Sequence, residues 1–255
     1  MNDLLALFEK ELRIVAEVPG FTREETDYVV RHVSNHDEGG YIIYSSLPED
    51  KVREIVRQEV EYFKGIGQEF EWKVYSHDTP PYLVDILKEK GFTIDEAEAL
   101  MVLKLEGNNG LLQTGSSPVV EEITSEAGIE DIIALEEEVW KESHEDLGNR
   151  LIRDKQQDPE SLYLYGVYDG DKLVSAAWMY LETNSSFASL WGGSTLEPYR
   201  GKGYYSALLA ERAKKAYEKQ HPYLMVDASP MSRPILEKFG FKCLAYSYGC
   251  QAPVR

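Results

Sequence analysis

The chain of 255 residues is short of several things. It has two cysteines, Cys243 and Cys250, both in one C-terminal segment. That leaves no disulfide framework and no cysteine pattern for a metal, so a reducing cytoplasm is the expected compartment. Its five histidines (His32, His36, His77, His144, His221) are scattered, with no triad or zinc spacing. His32 and His36, four residues apart, read as a surface pair. Positive charge is scarce: 27 Lys and Arg stand against 45 Asp and Glu, for a net charge of −18. A nucleic-acid partner is excluded on that ground, because neutralising phosphates needs clustered basic residues. The same field suits a cationic substrate or simple solubility. No apolar run approaches the ~20 residues of a membrane span. The first residues read as an amphipathic helix and not as a signal peptide.

What is present is a stretch from Ala188 to Ala216 around which the rest is arranged. It opens as an apolar strand over 188–196 and closes as a helix in which Leu209, Ala213, Ala216 and Tyr217 recur at near-helical spacing. Between them lies Arg200-Gly201-Lys202-Gly203. Glycines here let the backbone approach a ligand closely, and backbone N–H groups at a helix N-terminus attract an anion. Arg200 and Lys202 add positive charge. The stretch reads as a phosphate cradle.

The order of elements surrounds this cradle. Residues 4–17 and 23–34 are expected as helices, broken at Pro19-Gly20, with Thr22 and Glu25 placed as a capping box. A strand follows over 41–47, a helix over 51–65, a strand over 70–75, a helix from Pro80-Pro81 through Lys90 capped by Gly91, and a strand over 99–105. Residues 107–118, rich in Gly, Asn and Ser, read as a linker between a first domain (1–106) and a second (119–255). The second domain reads as a strand over 119–123, a helix capped by Thr124 or Ser125, a short helix near 147–152, and strands over 162–168 and 172–181 turning at Asp169-Gly170. A hairpin at Thr183-Asn184-Ser185 leads into the central strand. After the long helix come a strand over 223–228, a helix over 232–239 capped by Gly240, and a final strand from Cys243 to about Gln251.

Arg200 and Gly203, with Leu196 four residues before the Arg, resemble motif A of the GNAT superfamily of acyl-CoA-dependent N-acyltransferases. Tyr205 departs from it, standing where the family has Gly or Ala. Residues 229–241 resemble the family's motif B, with Ser229 where many members have an Asn that contacts CoA, Ser232 at a small position, and Leu236 where many have a Tyr. The resemblance covers roughly residues 118–245. It implies an α/β fold with a mixed sheet, acetyl-CoA as acyl donor, and direct transfer to a primary amine. It further implies that Thr195 and Leu196 meet pantetheine through their backbones, and that Arg200, Gly201, Lys202, Gly203, Tyr204, Tyr205 and Ser206 hold the pyrophosphate, with Ser229 also at the CoA site. The acid and base are less legible. Leu236 cannot donate a proton. Asp227 and Glu182 are the catalytic candidates, Ser229 a further polar one, and Tyr246 or Tyr248 could replace the missing Tyr. The Trp191-Gly192-Gly193 step is either room for substrate or a β-bulge.

The first domain repeats part of the second at an offset of 149: Ile86 to Phe92 parallels Ile235 to Phe241, 41–47 falls on 190–196, and the helix from Lys51 falls on Arg200 onward. Val52 and Glu54 replace Gly201 and Gly203, and Glu49 and Asp50 bring negative charge. The first domain is therefore expected to be a degenerate, partial GNAT-like half that shapes the substrate side, or one with a structural or homodimerising role. Acceptors left open are a small-molecule amine and a protein N-terminus or lysine; a non-catalytic acyl-CoA-binding module is the third reading.

Overall fold

The computed structural model describes residues 2–36, 38–115 and 119–253. Along the chain run α1 (Asn2–Phe8), continued by a π-helical turn (Glu9–Ile14), then β1 (Phe21–Glu25), β2 (Val29–Ser34), β3 (Gly40–Ser45), α2 (Val52–Ile66), β4 (Phe70–Tyr75), α3 (Leu83–Glu89), β5 (Thr93–Ile94), β6 (Glu98–Lys104) and α4 (Gly110–Gln113). There follow β7 (Glu121–Ile123), α5 (Glu126–Trp140), α6 (Glu145–Gln157), β8 (Leu162–Asp169), β9 (Lys172–Leu181), β10 (Phe187–Thr195), a 3₁₀ turn (Glu197–Tyr199), α7 (Tyr204–Glu218), β11 (Tyr223–Ala228), α8 (Arg233–Lys238) and β12 (Lys242–Gln251). No described helix is long and apolar enough to cross a membrane. The chain forms two compact units: Met1–Met101 with Asp227–Lys238 and Lys242–Arg255, and Val102–Val226 with Phe239–Phe241.

In the first unit β1, β2 and β3 pair antiparallel, β3 runs parallel to β4, and the chain's last strand, β12, pairs antiparallel with β4 and with β5. Val52, Ile55, Val56 and Phe63 of α2 pack with Ile42, Phe70, Trp72 and Leu87 in its core. The expected helix over 23–34 is instead the β1–β2 hairpin. Thr26 makes the turn, its hydroxyl accepting from the N–H groups of Tyr28 and Val29. The β-branched Val29, Val30 and Val33 then sit in a strand, where their restricted χ1 costs nothing. The same change moves His32 from the surface into a buried site, stacked on Tyr41 at 4.9 Å with Nε2 donating to the Ala16 carbonyl. Asn109 caps the short α4 inside the expected linker and Leu111 is buried there; residues 116–118 of that linker lie outside the described residues.

In the second unit β7, β8, β9 and β10 pair antiparallel and β10 runs parallel to β11. Ser125 caps α5, accepting from Gly128 N–H at 3.1 Å. The hairpin turns stand at Gly170 (φ +62°) and Asn184 (φ +54°), where the sequence placed them. The repeat is visible in the pairing itself. In each copy an antiparallel pair leads to a strand that runs parallel to the next across a fifteen-residue helix, α2 in one and α7 in the other. The copies differ in the loop before that helix, residues 46–51 in the first and 196–203 in the second.

Candidate active site

The loop between β10 and α7 is built to leave a helix end open. Gly201 (φ +77°) and Gly203 (φ +84°) both adopt left-handed conformations, and a Cβ at either would meet nothing within 4 Å. These glycines thus supply dihedral angles rather than space. The first intrahelical bond of α7 runs from Ala207 N–H to Gly203 C=O at 3.0 Å, and no side chain caps the helix. The N–H groups of Tyr204, Tyr205 and Ser206 precede it and have no acceptor behind them in the helix. With the helix dipole they form an anion-favouring end. Arg200, exposed, donates from Nε to the Thr195 carbonyl at 3.1 Å. Lys202 Nζ stands 4.5 Å over the Tyr199 ring, which stacks with Tyr204. Leu196 has its N–H on the Val174 carbonyl and its C=O on Tyr199 N–H, so its own N–H is closed to a ligand. Thr195 Oγ1 hydrogen-bonds Ser175 Oγ at 2.7 Å.

The Trp191-Gly192-Gly193 step is a β-bulge: the register with β9 shifts between Gly192 and Ser194, leaving Gly193 as the extra residue. Gly193 has φ +101°, and a Cβ there would lie 2.9 Å from the Tyr205 ring. The Tyr at the position that departs from motif A is thus accommodated by a glycine on the strand facing it. Burial raises the Tyr205 pKa.

Three carboxylates matter. Glu182, half-buried after β9, accepts a hydrogen bond from Ser189 Oγ, which accepts in turn from Trp191 Nε1 at 3.0 Å. Burial raises its pKa. Asp227, in the first unit, accepts from Ser247 Oγ at 2.9 Å and pairs with Lys73 Nζ at 3.2 Å, so both its oxygens are engaged. Glu136 on α5 was not singled out by sequence. It is 3% exposed; Oε2 accepts from Ser194 Oγ at 2.7 Å and Trp140 Nε1 at 2.9 Å, while Oε1 has no partner. Burial raises its pKa against those two hydrogen bonds and the charge of His144. In the run Glu136-Glu137-Glu138 nothing local marks it out; the tie to Ser194 spans 58 residues.

Of the remaining expectations, Ser229 caps the turn into α8, with Ser232 N–H and Arg233 N–H directed to its oxygens. Leu236 is fully buried on α8. Tyr246 accepts from Arg233 at 2.6 Å. Among the described residues Glu9, His77 and Asp78 gather potential metal ligands, but buried Arg13 donates to both Glu9 and Asp78 and closes the cluster as an ion-pair network.

Residues 129–241 match the model of the acetyltransferase (GNAT) family. Over this segment the chain is similar to the GNAT acetyltransferases. A 74-residue segment is 34% identical to an uncharacterized N-acetyltransferase of Shouchella clausii, covering 26% of this chain and 42% of that protein, so the match spans less than half of the relative's length. Among solved structures, a GCN5-related N-acetyltransferase from Kribbella flavida is similar with a TM-score of 0.67 at 14% identity, over 99% of this chain and 95% of that one. A tandem GNAT protein from the clavulanic acid biosynthesis pathway is similar with a TM-score of 0.63 at 12% identity, over 99% and 94%. The chain has the mixed α/β GNAT fold, and its α7 loop is the stretch that resembled motif A. The first unit has no such loop before α2. An open cleft of about 480 Å³ stands there, lined by Glu49, Asp50, Arg53, Asp85 and Glu89, with Arg53 already paired to Glu89.

Proposed function

We propose that this protein transfers the acetyl group of acetyl-CoA to the primary amine of a small molecule, with one donor site per chain. The observation that carries the reading is the uncapped N-terminus of α7, entered through two left-handed glycines and flanked by Arg200 and Lys202. Its open N–H groups suit a pyrophosphate, and Thr195, Arg200, Gly201, Lys202, Gly203, Tyr204, Tyr205 and Ser206 are the residues assigned to it, with Ser229 as a further CoA contact. Residues 119–255 are read as the acyltransferase domain, 107–118 as the linker and 1–106 as a degenerate GNAT-like half. The family match within 129–241 and the likeness to a tandem GNAT protein support that division of labour. Acidic Glu49, Asp50, Asp85 and Glu89 would repel a second pyrophosphate.

In the reaction the neutral amine attacks the thioester carbonyl, a C–N bond forms, the C–S bond breaks, and the thiolate leaves. The amine's proton must go to a base. Of the two carboxylates expected from sequence, Asp227 is neutralised by Lys73, and Glu182 is retained as a group that faces the amine rather than as that base. The bulge at Gly193 frees backbone from the β9–β10 ladder, where an N–H can stabilise charge on the carbonyl oxygen. Both cysteines are free, which fits a reducing cytoplasm. The test is thiol release from acetyl-CoA across a panel of small amines and lysine-bearing peptides. Turnover with peptides alone would replace the acceptor reading, and CoA binding without turnover would make the chain a binding module.

A further inference from the structure

The register of β10 on β9 places three side chains on one face of the sheet. Ser189, Trp191 and Ser194 stand opposite Tyr180, Trp178 and Ala176, and the bulge keeps Ser194 in phase with the other two. The same face carries α5 and α6, through the Glu136–Ser194 bond and a Tyr180–Asp154 bond at 2.9 Å. At one end Ser189 is bonded to Glu182, and at the other Ser194 is bonded to Glu136. The two serines are four β9 residues apart in register, about 13 Å. Between them Trp191 is 50% exposed, and Trp140, over Glu136, is 56% exposed. Large indoles left open beside carboxylates are a recognition surface for a cation. Glu136 adds an independent sign of a ligand, a buried carboxylate oxygen with no partner in the protein.

We propose that this face is the acceptor subsite and that it takes an aliphatic diamine or polyamine. One ammonium is held by Glu182 and the Trp191 ring. The other amino group lies at the bulge, gives its proton to Glu136 Oε1, and attacks the acyl carbon as its C–N bond forms and the C–S bond to CoA breaks. The inference rests on the acyltransferase reading for the transfer step alone; binding of the amine can be measured without a donor.

The probes are cadaverine, spermidine and pentylamine, titrated by calorimetry and by tryptophan fluorescence with no CoA present. Cadaverine or spermidine is expected to bind at least tenfold tighter than pentylamine. Glu182→Gln and Trp191→Ala should each abolish that preference. With acetyl-CoA added, Glu136→Gln should lower kcat by about 10²–10⁴-fold while the preference for diamines over pentylamine persists and the melting temperature stays near wild type. Glu182→Gln should raise KM for diamines and leave KM for pentylamine unchanged, a split that a merely structural role would not produce. Equal affinity for pentylamine and the diamines, no amine binding, or a diamine Kd unmoved by Glu182→Gln overturns the subsite. Kinetics of Glu136→Gln equal to wild type overturn its role as proton acceptor. Selective diamine binding with no thiol released refutes the transfer reading and leaves the amine site standing.

Discussion

Replacing Gly203 with Glu should separate folding from donor binding. Gly203 is the N-cap of α7 at φ +84°, a conformation that costs an L-residue about 1–2 kcal/mol. A Cβ there meets nothing within 4 Å, so no clash adds to that. A carboxylate at the helix N-terminus returns about 0.3–1 kcal/mol. The net loss of stability is then at most about 2 kcal/mol, a shift of several degrees in a chain of this size. Binding is affected far more. A carboxylate about 4 Å from a phosphate costs roughly 1 kcal/mol in water and about 4 kcal/mol in a partly desolvated site. Gly203 is exposed, so the lower value for each of two phosphates is the conservative choice. The sum is about 2 kcal/mol, or at least a roughly 30-fold rise in Kd for CoA. Raising the salt should shrink the gap, because exposed charges are screened. Gly203→Asn is the control: Asn tolerates the left-handed region and carries no charge, so it should lose only a few-fold. Calorimetric titration with CoA at low and high ionic strength reads all of this. A folded Gly203→Glu protein with wild-type affinity at low salt would refute the placement of the pyrophosphate at α7.

Calorimetry on the wild type should give one CoA per chain; two equivalent sites would contradict the reading of the first copy as degenerate. Leu236→Tyr puts a larger, polar ring into a fully buried position on α8 and should destabilise by about 1–3 kcal/mol, seen as a lower Tm. If the variant instead stays stable and turns over faster, Leu236 stands at an acid position that a Tyr can fill. His32 supplies a pH test. Burial, chiefly, holds its pKa down at about 4, against an ordinary 6.5, so the unfolded chain takes up a proton that the folded one refuses. Its contribution is complete above pH 6.5 and is lost as pH falls toward 4, by about 3 kcal/mol. Urea unfolding of wild type and His32→Gln should therefore show the stability difference changing across that window; parallel curves would sink the assignment.

Where local chemistry punctuates the chain, the sequence was readable. Asp169-Gly170, Gly91, Gly240 and the Arg200–Gly203 loop each stand at the turn or cap their residues demand. The β1–β2 hairpin was misread because Thr22 and Glu25 imitate a capping box, while the apolar positions of 21–34 suit a helix about as well as two short strands. Gly20 turns with φ +81°, and what decides is tertiary: β2 pairs with β3 from Val29 to His32. Glu136 was missed for a related reason. Its importance comes from Ser194 and Trp140 closing on one oxygen, and nothing in a run of three glutamates reveals which of them faces inward. Tyr205 departs from the motif, and only the three-dimensional pairing shows that Gly193 opposite it leaves room for the ring.

The pairing of β12 with β4 bears on how the protein is made. Tyr246 N–H bonds Ser76 Oγ across 170 residues of chain, and the β12–β4 ladder begins one residue further on. At 5–20 residues per second a ribosome needs roughly 10–30 s to add that length. During that interval β4 has a bare edge, and the core containing Phe70, Trp72 and Phe92 still lacks Cys250. The amino-terminal copy, although translated first, can be completed only after the carboxyl-terminal residues emerge. A stop codon anywhere before β12 therefore harms the half of the protein encoded farthest from it, and releases a fragment whose open strand edge invites pairing with another chain.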